Sequence, residues 1–153
     1  MQTRERPINI CFPFSGDDVG GSHISALGLI QNLDPREFRS TIVVQHAHGR
    51  LADFFAAGGM RAVECLHWTE FVGNLRLGAI DLTRSLRDIP RLVRFLRARQ
   101  IDVVHTNDGH THANWALASR LAGCKLLWHH RGDPGAAGLR LAAPLLAVQR
   151  TVE

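Results

Sequence analysis

The sequence predicts an α/β domain in which a doubly wound parallel sheet carries helices on both faces. Three observations predict it. Short runs of β-branched and apolar residues alternate with longer stretches of helical periodicity. The strand-like runs are apolar on both sides, as strands covered by helices above and below must be. The 153 residues suit one domain and leave little room for two.

The elements follow in order. Ile8 to Phe14 is a short apolar run and reads as the first strand. Ser15 to Ser22 is a polar, Gly-rich turn. Ile24, Leu27, Leu29, Ile30 and Leu33 then give a helical stripe that stops at Asp34-Pro35. Thr41 to Gln45, rich in β-branched residues, is a second strand. Gly49 to Ala57 reads as a helix with Leu51, Phe54 and Phe55 inward and Gly58-Gly59 as its stop. Arg61 to Leu66 is a third strand, and His67 to Gly78 is irregular.

Leu82, Leu86, Ile89, Val93 and Leu96 mark one helical face. Pro90 interrupts it, so the helix either kinks there or restarts with Asp88 as an N-cap. Asp102 to Thr106 is a fourth strand, Thr111 to Leu121 a helix closed by Gly123, and Lys125 to His129 a fifth strand. A Gly/Pro-rich loop from Arg131 to Gly138 leads to a last helix, Leu139 to Val148.

Composition narrows the function classes. Hydrophobic residues make up 45% and charged residues 21%, the composition of an ordinary globular protein, with enough apolar surface to offset the entropy of ordering and exclude disorder as the main state. No apolar stretch reaches membrane-spanning length, and Met1 to Pro7 does not read as a secretory signal. The formal charge is +4, carried almost wholly by arginine, with Lys125 the only lysine. The basic residues read as scattered, which argues against nucleic acid and leaves an anionic small ligand open. Cys11, Cys65 and Cys124 are odd in number and form no C-x-x-C pair, the pattern of reduced core thiols in a cytoplasmic protein.

Open α/β sheets bind ligands beyond the carboxyl ends of their strands. After strand one stand Gly20, Gly21 and Ser22, just before a helix, where backbone N–H groups and the helix dipole favour a phosphate. The segment matches neither G-x-G-x-x-G nor a P-loop. The alternative is a tight turn that needs glycine φ values. Asp17 and Asp18 read as a catalytic pair or, preferably, a solvated loop edge.

Seven of the nine histidines fall at strand ends on one side of the sheet: His46, His48, His105, His110, His112, His129 and His130. With Asn107, Asp108, Arg131 and Asp133 they form a polar rim. Two chemistries fit such a rim. Histidines and carboxylates could hold metal for a hydrolase, or histidines and Arg131 could bind a sugar and a phosphate without metal. A third reading is a non-catalytic module that binds an anion or a partner chain. Asp108 reads equally well as the N-cap of the following helix, and Trp115 and Trp128 read as core.

A set of segments, in order, resembles the N-terminal, acceptor-side domain of family 4 retaining glycosyltransferases, whose two-Rossmann-domain architecture is called GT-B. They are Gly20-Gly21-Ser22; Gly49-Arg50-Leu51 before a helix ending Ala57-Gly58-Gly59; the basic helix Leu86 to Arg99; Ile101 to Asn107, similar to the family's PDVVHTH; and Ala118 to Gly123 before Lys125 to Asp133.

The resemblance implies sugar transfer from a nucleotide-sugar donor to a sugar or lipid-linked acceptor, with retention and without a metal or other cofactor. It implies that Gly20, Gly21 and Ser22 lie against the donor phosphates. His129, or His130 if the register shifts by one, would face the reacting sugar, Arg131 would lie near the acceptor or the phosphate, and His105, Asn107 and Asp108 would line the cleft. The sequence departs from the pattern at Ser22-His23 and at His129-His130-Arg131. In the family a second domain supplies most nucleotide contacts, so residues 1–153 are expected to be the N-terminal half, incomplete or inactive alone. The expected location is the cytoplasm, with peripheral membrane contact left open.

Overall fold

The structure is a computed structural model and describes residues 6–60, 63–69 and 78–129. Its centre is a five-stranded, all-parallel sheet of order β3-β2-β1-β4-β5, formed by β1 (Ile8–Pro13), β2 (Phe38–Val44), β3 (Val63–Cys65), β4 (Val103–Thr106) and β5 (Lys125–Trp128). The helices between them are α1 (Gly21–Gln31), α2 (Arg50–Ala57), α3 (Gly78–Ala98) and α4 (Gly109–Ala122). This is the Rossmann-like arrangement expected from the alternation of elements.

The chain leaves β1 in one direction through β2 and β3, then crosses by α3 to β4 on the other side of β1. That reversal makes the carboxyl ends of β1 and β4 the topological switch point. Alternate strand residues feed two cores. Phe12, Phe14, Ile42 and Val44 pack with Ala26, Ile30, Leu51 and Phe55 of α1 and α2. Cys11, Val43 and Val104 pack on the opposite face with Leu92, Leu96, Trp115 and Ala118 of α3 and α4. Each of the larger side chains contributes roughly 1.5–3 kcal/mol by leaving water.

Three expectations change. The α1 stripe holds in part: Ile30 is buried and Leu27 and Leu33 pack against the same core, but Ala26 takes a buried place the stripe did not include, and Ile24 is 60% exposed and Leu29 39%. The helix ends at Gln31, ahead of Asp34-Pro35, because the Asn32 side chain takes the Gly28 carbonyl at 2.8 Å.

The helix α3 runs unbroken through Pro90, which is exposed, so the Leu86 carbonyl that loses its partner can turn to water. Asp88 starts no second helix. Its carboxylate accepts the Thr69 backbone N–H at 2.8 Å and pairs with Arg91.

Strand β2 begins at Phe38, three residues earlier than its β-branched core, because β1 pairs with it from Ile8↔Phe38 onward. The loop Arg131 to Gly138 and the helix expected over Leu139 to Val148 lie outside the described residues.

The N-terminal ends of β1 and β4 are tied by one carboxylate. Asp102 takes both Arg6 guanidinium nitrogens, at 2.7 and 2.8 Å, and the Asn9 backbone N–H at 2.9 Å. Gln100, in the turn before β4, adopts a left-handed φ of 50°.

Candidate functional site at the carboxyl ends of the central strands

The crevice is built from the segments that leave β1, β2 and β4. Gly16 follows β1 with a φ of 73°, a conformation that glycine adopts without strain. Its N–H donates to the Gln45 side-chain oxygen at 2.8 Å, and the Gln45 amide nitrogen donates to the Trp68 carbonyl at 3.0 Å. A buried glutamine thus sets the first turn of the loop.

Asp17 comes next and belongs to neither pattern offered by the sequence. Its carboxylate accepts the Leu51 backbone N–H at 3.1 Å at the start of α2. The backbone N–H groups of Leu51 and Arg50 hold this carboxyl below its usual range. Asp18 lies at the exposed edge and pairs with Arg50, as the solvated reading had it.

On the other side of the crevice Asp108 is the N-cap of α4. It accepts the Thr111 N–H at 2.7 Å and the Thr111 hydroxyl at 2.6 Å. Because the Thr111 proton goes to the carboxylate, the Ser15 hydroxyl must donate to Thr111 across the 3.2 Å that separates them. That bond closes β1's loop onto α4.

Helix α1 differs from α2 and α4. No side-chain oxygen caps it, and its first turn contains no acid. The His23 ring reaches back and accepts the Gly20 N–H on Nδ1 at 3.0 Å. Burial lowers the His23 pKa, with Asp108 pulling the other way, and the accepted N–H requires Nδ1 to be unprotonated. Gly20 has φ −128°, and Gly21 begins a regular helix. Neither position needs glycine for its backbone. A Cβ on Gly21 would meet nothing within 4 Å, and one on Gly20 only His23 Nδ1 at 3.8 Å. The turn explanation fails for this pair, and the space in front of them is open.

His105 and His129 come together. Their rings stack at 5.9 Å and 16°, with Phe12 at 5.1 Å from His105 on its other neighbouring strand. His105 is buried and His129 exposed. Asn107, directly after β4, is 2% exposed, and neither its amide oxygen nor its nitrogen has a hydrogen-bond partner among the described residues. His130 and Arg131 lie outside the described residues.

The other histidines stand apart from this group. His112 is buried in α4, stacks on Trp128 at 4.5 Å and meets the Thr106 hydroxyl at 3.0 Å. Burial pushes its pKa down to about 4, with Asp108 opposing. Trp115 is fully buried. His46 and His48 are exposed. Among the described residues no three His, Cys, Asp or Glu side chains converge as a metal-binding group. The cysteines are free thiols; burial raises the pKa of Cys11 and takes Cys124 to about 11.

The residues missed in the sequence were Ser15, Gln45 and Thr111. The legible signal for Ser15 and Gln45 was position alone: each is the first polar residue after an apolar strand.

Comparison with solved structures finds the same fold in larger enzymes. Acinetobacter baumannii MurG matches with a TM-score of 0.65 and 18% identity, over 94% of this chain and 40% of that one. Anabaena HepE, in complex with UDP and glucose, matches with 0.63 and 17%, over 90% of this chain and 35% of that one. A UDP-N-acetylglucosamine 2-epimerase matches with 0.55 and 17%, over 80% and 33%. The chain therefore spans well under half of each of these neighbours. No curated protein sequence matches it. The family model described as glycosyl transferase 4-like domain matches residues 20–152. With that match and the fold of its neighbours, the chain belongs to the glycosyl transferase 4-like family and has the Rossmann-like fold of an N-terminal GT-B domain.

Proposed function

We propose that this chain is the acceptor-side half of a cytoplasmic glycosyltransferase that moves a sugar from a nucleotide-sugar donor to a sugar or lipid-linked acceptor, with retention. The observation that carries the proposal is Gly21. Gly20 is the N-cap of α1, where glycine is at home, but Gly21 stands in the first turn of the helix, where neither backbone conformation nor packing calls for glycine and close approach of a ligand does. Helices α2 and α4 receive the Asp17 and Asp108 carboxylates at their N-termini, and α1 receives none. A diphosphate is the anion such a terminus suits, and the UDP seen in the HepE neighbour supports that ligand class.

In this reading the bond from the anomeric carbon to the donor phosphate breaks, and an acceptor hydroxyl forms the new bond on the same face. The hydroxyl proton leaves with the departing phosphate. The amides of Gly21 and Ser22 and the α1 dipole stabilise the charge that grows on that phosphate. His129, or His130, serves the reacting sugar, and Arg131 serves the acceptor or the phosphate. The stacked His105 and the unpartnered Asn107 amide line the floor, and Asp108 shapes the wall by holding α4. A second domain completes the donor site, so the chain alone is inactive or nearly so. The epimerase neighbour shares the fold, but the family match favours transfer. The metal-dependent hydrolase is not favoured, for want of a converging ligand set among the described residues.

Calorimetric titration of the chain with UDP and GDP in EDTA, then with zinc or manganese, tests the proposal. Binding without metal, lost in Gly21→Val, is the expected result. Binding that needs metal would overturn it.

A further inference from the structure

Gln45 is a buried amide with both ends of its side chain engaged. It stands directly after β2 and is 7% exposed. Its Oε1 accepts the Gly16 N–H at 2.8 Å, and its Nε2 donates to the Trp68 carbonyl at 3.0 Å. Its own carbonyl accepts the Cys65 thiol at 3.4 Å. One residue thus links the exits of three neighbouring strands, β1, β2 and β3.

The two side-chain partners lead in different directions. Gly16 is the middle of three consecutive residues, each held by a different element: Ser15 by Thr111 of α4, Gly16 by Gln45, and Asp17 by the Leu51 N–H of α2. Gly16 turns at a φ of 73°, and that turn aims the chain toward Gly20 and Gly21. On the other side Trp68 is 1% exposed and meets Trp115 of α4 edge to face at 5.3 Å. The next N–H, that of Thr69, goes to Asp88 of α3. The segment after β3 is therefore fixed to the core, and it anchors the Gln45 amide. The amide has one workable orientation, because only its oxygen can take an N–H and only its nitrogen can give to a carbonyl.

We propose that Gln45 is a positioning residue for the nucleotide. It touches no ligand; it sets the direction in which the loop leaves β1, and with it the placement of the Gly21 and Ser22 N–H groups, by tying that loop to the segment after β3. The proposal rests on the reading of Gly21 as a phosphate site, and its test separates the two.

The test is Gln45→Glu, because a glutamic acid reproduces the amide's pattern only while protonated. The neutral carboxyl accepts from Gly16 and donates to Trp68, whereas the ionised one only accepts and is set against the Trp68 carbonyl. Burial raises a carboxyl at this position above its ordinary value of about 4.3 and brings the change into a measurable range. The titratable groups around position 45 are Asp17, held below its usual range, the Cys65 thiol, and the exposed His46 and His67. All are shared with the wild type, so the ratio of variant to wild-type affinity cancels them. UDP affinity is measured for both proteins in EDTA from pH 5 to pH 8, with circular dichroism to show that they are folded. The variant should match wild type within about twofold at pH 5 and bind about tenfold more weakly at pH 8. A flat ratio in the folded variant would overturn the proposal.

Ligand-free ¹H–¹⁵N spectra of the variant give the independent reading. The amides of Gly20, Gly21 and Ser22 should move with that of Gly16 as pH changes, and movement confined to Gly16 would overturn the proposal. A wild-type chain that binds no UDP would overturn the phosphate reading itself, and joint movement of these amides would then still assign the loop's placement to Gln45. If the variant unfolds before pH 8, the wild-type chain decides. Its Gln45 side-chain amide should shift together with Gly21 as UDP is added, and a Gln45 amide that stays still would overturn the proposal.

Discussion

Asp17 and Gly49 fit as carboxylate and seat. The Asp17 side chain reaches across from the loop after β1 to the start of α2, and a Cβ on Gly49 would stand 2.7 Å from its Cγ. Glycine at position 49 is thus required by its neighbour and not by φ, which is an ordinary −98°. Gly49→Ala should push Asp17 off α2 and destabilise the fold by roughly 1–3 kcal/mol, read as a lower urea midpoint. It should also loosen the loop that carries Gly20 and Gly21, so nucleotide affinity should fall with stability.

The Gly21 position separates fold from function. Gly21→Ala should leave the structure intact and stabilise it by about 0.5 kcal/mol, because alanine is the better helix residue and its Cβ meets open space. The same change should weaken binding of a nucleoside diphosphate. Thermal melting and titration on one preparation check both. Loss of stability would show that glycine is there for the fold.

His112 gives the fold an acid-side weakness. Its pKa of about 4 lies below the ordinary 6.5, so the unfolded chain takes up the proton first as pH falls. Its neutral form costs nothing above pH 6.5, and stability drops progressively from there toward pH 4, by up to about 3 kcal/mol. Burial lowers the His23 pKa in the same direction. Urea midpoints measured across this range should fall, and the slope should flatten in His112→Gln whatever the variant's absolute stability.

Gln100 carries strain that glycine would relieve. With φ at 50°, Gln100→Gly should raise stability by about 0.5–1 kcal/mol, which a melting curve can resolve.

The sheet was legible because β-branched runs such as Thr41 to Val44 have few other uses, and because Gly123 and Asp108 punctuate α4 as a sequence pattern can. The α1 face was legible only in part, through Leu27, Ile30 and Leu33, because Ala26 is too small to stand out while Ile24 and Leu29 are conspicuous and point to water. Pro90 was ambiguous because its cost depends on whether Leu86's carbonyl faces solvent, a tertiary fact. In the candidate site, position at strand ends is what brought Gly20, Gly21, His105, Asn107 and Asp108 forward as candidates. It could not show that Asp17 serves α2, since that depends on residues 34 positions apart meeting in space. Nor could it distinguish glycine required by φ, as at Gly16, from glycine left open, as at Gly21.

The most direct test of the central claim is a ¹H–¹⁵N correlation titration of the chain with UDP in the presence of EDTA, which reports weak binding residue by residue. Saturable shifts of the Gly21 and Ser22 amides and of the Asn107 side-chain amide, lost in Gly21→Val, are the expected result. Shifts confined to other parts of the chain, or none at these three positions at saturating UDP, would contradict it.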